Sequence, residues 1–271
     1  MADYGLIYYN FPGHSLEQFG AFAGAAGFQR AEVPIGGVWH EKEAGDDPEA
    51  RAPEVRAMFA RHGVRLSALA AGNDFLQPDD AGMALQVERL QRVCRLAELA
   101  GTKLVRIDGG WAKESVQKER WFDLMVAGLR AVRPFIERGG YTLALDNHGL
   151  VTNDADLQVR VFEAVGSNNV GANVDTMNYR WAGHDLETVG RYYQVIAPYA
   201  RHVHFKDGRG SREQYRGTVL GAGEIDLERA VRELRAAGYA GVWTVEYEGP
   251  RADAEVGYRA GLEWLQAHIG G

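Results

Sequence analysis

The sequence predicts a (β/α)8 TIM barrel, one α/β domain over residues 1–271. Three observations carry this expectation. Eight strand-like runs alternate strictly with eight helical patterns, the signature of a parallel sheet with helices outside. The chain has 271 residues, close to the ~250 of a single barrel, so eight repeats fit closure better than an open sheet. Four runs in the second half each end on a carboxylate or histidine: Asp146 in YTLALDNH, Asp175 in VGANVDTMN, His204 in RHVHFKD and Glu246 in GVWTVEYE. Asp146 and Asp175 are 29 residues apart, Asp175 and His204 again 29, and Glu246 follows 42 later. One strand–helix–strand unit takes about 30 residues. Four consecutive strands thus deliver metal-ligand types at one end, which is how such a barrel builds a site on its C-terminal face.

The strands are expected at 4–10, 28–35, 64–71, 103–109, 141–147, 169–175, 201–206 and 241–247. The helices are expected near 15–26, 49–62, 81–100, 117–138, 154–166, 185–199, 226–237 and 252–268. Ser15 and Asp226 are N-cap candidates, since each precedes a helical run and carries an oxygen for a free amide. Gly27, Gly63, Gly101, Gly139 and Gly238 each stand between a helical run and a strand, where a left-handed residue ends a helix. No linker, low-complexity tract or second domain is evident.

Composition narrows the function classes. An apolar fraction of 46% and a charged fraction of 25% describe an ordinary globular chain. A net charge of −7 opposes a nucleic-acid partner, which needs a basic face. Cys94, the only cysteine, excludes an intrachain disulfide and reads as a packed core thiol. The start, MADYGLIYYNFPG, has no signal-peptide pattern, and no run of 18 apolar residues exists, so a cytoplasmic protein without a membrane partner is expected.

Alternation along the strands says which side chains point into the barrel. Leu143 and Leu145 take one face of their run, leaving Asp146 on the other. Val203 and Phe205 likewise leave His202, His204 and Lys206 inward, and Trp243 and Val245 leave Glu246. In 169–175, Ala172 and Val174 oppose Gly171, Asn173 and Asp175. All four candidate ligands share the inward parity. One inward carboxylate is often structural, as a helix cap or an arginine partner; four at consecutive strand ends point to a site. Three carboxylates and an imidazole suit one divalent cation: Mn²⁺ first, with Mg²⁺, Co²⁺ or Zn²⁺ as alternatives.

The motifs LALDNHG, NVGANVDTMN, HVHFKD, GAGEIDL and VWTVEYEG resemble the xylose isomerase-like barrel superfamily over nearly the whole chain, most specifically HVHFKD followed by GAGEIDL. That group of sugar phosphate isomerases and epimerases includes ketose 3-epimerases, hydroxypyruvate isomerases, inosose dehydratases and, more distantly, endonuclease IV. The resemblance implies metal ligands from strands five to eight, here Asp146, Asp175, His204 and Glu246. The second histidine of HVHFKD takes the ligand position, with His202 its neighbour, and Glu246 is preferred over Glu248. The sequence departs from the family at two places. Asp146 replaces the usual glutamate and is shorter by one carbon–carbon bond, roughly 1.5 Å. Asn178 stands where sugar epimerases often carry a substrate-binding histidine.

The catalytic candidates are therefore Glu246, Asp146 and His148, and the substrate-binding candidates are Asn178, Arg106, Lys206, His202 and Trp39. Each has a plainer alternative. His148 reads equally as a loop histidine, Arg106 as a counter-charge to the acids, Lys206 as a partner of Asp207, and Trp39 as a loop anchor. The expected chemistry is isomerisation or epimerisation of a keto-polyol, with proton abstraction next to a carbonyl and a metal-stabilised enediolate. Loss of a β-hydroxyl after the same abstraction gives a dehydratase of an inosose or dehydroshikimate kind, the main alternative. A non-catalytic sugar-binding barrel and an endonuclease are lesser ones. The expected partner is a small carbohydrate, and homo-oligomers are compatible with such barrels.

Overall fold

The structure, a computed structural model, describes residues 2–11 and 13–270. Eight parallel strands close into a barrel: β1 (Tyr4–Ile7), β2 (Arg30–Pro34), β3 (Arg65–Ala70), β4 (Leu104–Ile107), β5 (Thr142–Asp146), β6 (Val170–Asp175), β7 (Ala200–Phe205) and β8 (Trp243–Val245). Neighbours in sequence are neighbours in space, and β1 closes the ring on β8 through the register Tyr4↔Trp243. The outer layer is α1 (Leu16–Ala26), α2 (Pro48–Arg61), α3 (Asp80–Leu99), α4 (Trp121–Gly139), α5 (Ala155–Val165), α6 (Leu186–Ile196), α7 (Leu227–Ala236) and α8 (Ala254–Ile269). No helix among the described residues is long and apolar enough to cross a membrane.

Local chemistry explains the ends. Ser15 Oγ accepts from the Gln18 amide at 3.2 Å while Gln18 Oε1 accepts from the Ser15 amide at 2.8 Å, a reciprocal capping box. Asp226 accepts from the Arg229 amide at 2.8 Å. The helix expected to stop before Gly139 runs one residue further, and Gly140 takes the left-handed conformation instead, at φ 65°. The helix expected over 185–199 ends at Ile196 and gives way to a 3₁₀ turn around Pro198, since proline brings no amide hydrogen.

The core lies between barrel and helices. Val203, Phe205, Leu143, Leu145 and Val245 are buried there, and Phe205 meets Trp264 of α8 at 6.0 Å between ring centres. Cys94 is buried in the same layer, which pushes its thiol up to about 12.

Alternation did not forecast a small antiparallel hairpin after β7, Asp207–Arg209 against Arg216–Thr218. Its strands are three residues each and glycine-rich, so they carry no apolar pattern. Asp207 organises the hairpin and the turn beyond it. Its carboxylate accepts from the amides of Gly208 at 2.8 Å and of Gly221 and Gly223 at 2.9 Å. A Cβ at Gly223 would stand 1.9 Å from Asp207 Oδ1, so the GAGE turn closes on this carboxylate only with glycine there.

Candidate active site

The inward side chains form one continuous buried network. Across the barrel from β6 and β7, β2 contributes Glu32, which is 1% exposed. Glu32 Oε1 accepts from Arg106 Nε at 2.6 Å, and its Oε2 lies 2.9 Å from His202 Nε2 and 2.8 Å from His204 Nε2. Arg106 Nη1 donates to Asp146 Oδ2 at 2.7 Å, and Asn173 Nδ2 donates to Asp146 Oδ1 at 2.7 Å. The other ring nitrogen of His204, Nδ1, is 2.9 Å from Glu246 Oε2. Lys206 Nζ completes the set, 2.9 Å from Asn178 Oδ1, 3.1 Å from both Glu246 Oε1 and Asp175 Oδ2, and 3.4 Å from Glu248 Oε2.

These neighbours set the charge states. Burial works against ionised Glu32, yet His204 and Arg106 hold its carboxyl well below the ordinary range. Burial also disfavours the His204 imidazolium, but Glu32 and Glu246 on its two sides push it up to about 10. Glu246 is held below its usual value, with Lys206 and His204 overcoming burial. Asp175 goes the other way: burial, with Glu246 and Asp146 nearby, pushes it up to about 7 against the pull of Lys206. His202 is lowered, because burial outweighs its contact with Glu32.

Above this network lies a cavity of about 370 Å³, lined by Tyr9, His148, Asn178, Trp181, Tyr215 and Arg251 among others. That is within the ~300–1,000 Å³ of small-molecule sites. Asn178 and Glu248, both partners of Lys206, line it as well, so the cavity opens onto the charged cluster.

The donor set fits a divalent cation. Asp175, His204 and Glu246 each offer one ligand atom, all within 4.8 Å of one another, and all three residues are buried. Asp175 Oδ2 accepts no hydrogen bond; the nearby Lys206 ammonium is its charged partner. Six carboxylates (Glu32, Asp108, Asp146, Asp175, Glu246 and Glu248) face Arg106, Lys206 and the imidazoles of His148, His202 and His204, an excess of negative charge that a cation would relieve. Asp146 is placed differently from the other three. Its two oxygens are taken by Arg106 and Asn173, and it is not among the converging ligand atoms.

The remaining candidates fall in distinct places. His148 is half exposed at the cavity wall, its Nδ1 3.9 Å from Asp146 Oδ2, and it meets the Trp111 ring edge-on. Arg106 is a counter-charge between two acids rather than a cavity residue. Lys206 does not pair with Asp207, whose carboxylate is spent on the turn amides. His202 is buried under the site against Glu32. Trp39 does not reach the cavity: the Arg92 guanidinium stacks on it at 4.5 Å and Arg89 lies at 5.7 Å, over α3. Sequence reasoning missed Glu32. The signal was available, since Ala31 and Val33 in FQRAEVPI set an outward face and leave Glu32 inward by the alternation that placed the other acids.

Comparison with known proteins decides the family. The family model for the xylose isomerase-like TIM barrel matches residues 21–268. This chain belongs to the xylose isomerase-like TIM barrel family. A D-psicose 3-epimerase crystallised with D-fructose is similar at 18% identity and TM-score 0.80, covering 99% of this chain and 100% of that one. The IOLI protein, solved with a bound zinc atom, is 17% identical, with TM-score 0.78 and coverage of 99% and 98%. The probable 3-DHS dehydratase AsbF of Bacillus anthracis is 15% identical, with TM-score 0.73 and coverage of 97% and 98%. At these identities the likeness establishes the barrel and not the reaction. A search of curated proteins gives no match.

Proposed function

We propose that this xylose isomerase-like barrel is a divalent-cation-dependent enzyme that isomerises or epimerises a sugar-like keto-polyol. The observation that carries the reading is the convergence of buried Asp175, His204 and Glu246 beneath a cavity of sugar-binding size. Asp175, His204 and Glu246 would hold the cation, with Asp146 as the fourth candidate. When bound, the cation supplies Lewis-acid polarisation of a carbonyl and its neighbouring hydroxyl. Glu246 is the candidate base, ionised at the end of β8 beside Lys206, whose partners Asn178 and Glu248 line the cavity. Asn178, whose Oδ1 accepts from Lys206, lines the cavity and has its amide NH₂ to offer substrate hydroxyls. Tyr9, Trp181 and Tyr215 line the cavity with aromatic faces on which a sugar ring can pack.

A second reading is dehydration of a cyclic polyol, and the position of His148 favours it. A dehydratase needs a proton donor for the departing hydroxyl, and His148 stands at the cavity wall beside Asp146. One experiment separates the readings. The protein is analysed for metal, then incubated with a panel of ketoses and inososes in D₂O. Deuterium next to a carbonyl, lost on chelation, supports the proposal, and the product identifies isomerase, epimerase or dehydratase. A protein that takes up no divalent cation, or that exchanges no proton from any panel member, refutes it.

Cation affinity is expected to rise with pH between 6 and 9. The cation-free protein keeps the second ring proton of His204 up to about 10 and the carboxyl proton of Asp175 up to about 7, and ligation must expel these two. Calorimetric titration of Mn²⁺ in two buffers of different ionisation heat measures the protons released. Affinity that falls or stays flat over this range contradicts the assignment of these two residues.

A further inference from the structure

We infer that Glu32 is a positioning residue of the cation centre: its carboxylate holds the His204 ring so that Nδ1 faces Asp175 and Glu246. The inference rests on the cation reading above. His204 is engaged on both sides, with Nε2 2.8 Å from Glu32 Oε2 and Nδ1 2.9 Å from Glu246 Oε2. A ring nitrogen that donates to a carboxylate keeps its proton, which leaves the opposite nitrogen to serve as ligand and fixes the plane of the ring.

Glu32 is itself immobilised. Its other oxygen is bound by Arg106 at 2.6 Å, its second imidazole partner is His202 at 2.9 Å, and it is 1% exposed. Both of its oxygens are taken, one by Arg106 and the other by the two imidazoles, so it acts through His204 and not on a substrate. Glu32, His202 and His204 also bring three ligand atoms within 4.8 Å, which raises the question of a second cation there. The engaged atoms answer it: Glu32 Oε1 is bound by Arg106 and its Oε2 by both imidazoles, whereas Asp175 Oδ2 in the other trio accepts no hydrogen bond. The trio is a hydrogen-bonded support.

The test compares Zn²⁺ binding by calorimetry in the wild type, Glu32→Gln and His202→Asn. The second variant disturbs the same buried cluster but leaves the Glu32–His204 contact. Glu32→Gln is expected to weaken Zn²⁺ binding by about 10–100-fold, and His202→Asn far less. Long-range ¹H–¹⁵N spectra of the Zn²⁺-loaded wild type should place the His204 proton on Nε2, and this readout stands even if a variant does not fold. Unchanged affinity in Glu32→Gln, equal losses in the two variants, or a proton on Nδ1 each overturn this inference alone, provided the wild type binds Zn²⁺. A wild type that binds no Zn²⁺ overturns it together with the reading on which it rests.

Discussion

Glu246→Gln is expected to lower deuterium exchange into the substrate by roughly 10²–10⁴-fold while leaving the barrel folded. The substitution keeps the shape of the side chain and removes its charge. Glu246 faces His204 through one oxygen and Lys206 through the other, so the carboxylate is held in place from two sides. Glutamine can neither accept a proton from a carbon acid nor serve as an anionic ligand. Lys206 retains Asp175, Glu248 and Asn178 as partners, so no buried cation is stranded. Exchange rates by NMR, with the melting temperature as a folding control, read the outcome. Near wild-type exchange in the variant would move the base elsewhere, with His148 the next candidate.

Arg106→Met is expected to give the largest loss of stability, about 3–5 kcal/mol, or on the order of 10 °C in Tm. The guanidinium is the shared partner of Glu32 and Asp146, both nearly inaccessible to water, and methionine leaves two carboxylates facing the barrel interior. The same pairing fixes the sign of the pH dependence. With Arg106 present, Glu32 is held far below its unfolded value, so its contribution is present at neutral pH and is lost only as acid protonates it. In the variant Glu32 keeps only His202 and His204 and its carboxyl rises from that low value, so the stability gap to the wild type is widest at pH 8 and narrows as pH falls. Thermal melts of both proteins at pH 5.5 and 8 measure this. Equal Tm values at pH 8 would mean that Arg106 contributes no net stabilisation.

Much of the fold was legible in the sequence because the signals are local. Strand existence, helix caps and the facing of each side chain depend on residues within a few positions, and alternation set His202, His204 and Lys206 to one side without knowledge of any partner. Strand ends were less legible: β1 stops at Ile7 and β8 at Val245, short of the expected residues 10 and 247, because the ladder ends where the loops diverge. The hairpin after β7 left no apolar trace, being held by one aspartate and a set of backbone amides.

The sequence by itself determined the barrel, the order of its elements and the set of inward acids and imidazoles. Only the tertiary structure decided which of these meet. Glu32 and His204 are 172 positions apart in the chain and 2.8 Å apart in space, and Arg106 reaches Asp146 across 40 positions. It also decided that Asp146 is taken up by Arg106 and Asn173, that Lys206 stands among Asp175, Glu246 and Glu248, and that Trp39 lies beneath two arginines outside the cavity. The physical reason is the same in each case. Facing is a property of one strand's pleat, whereas contact across a barrel depends on its closure and on the register of strands far apart in the chain.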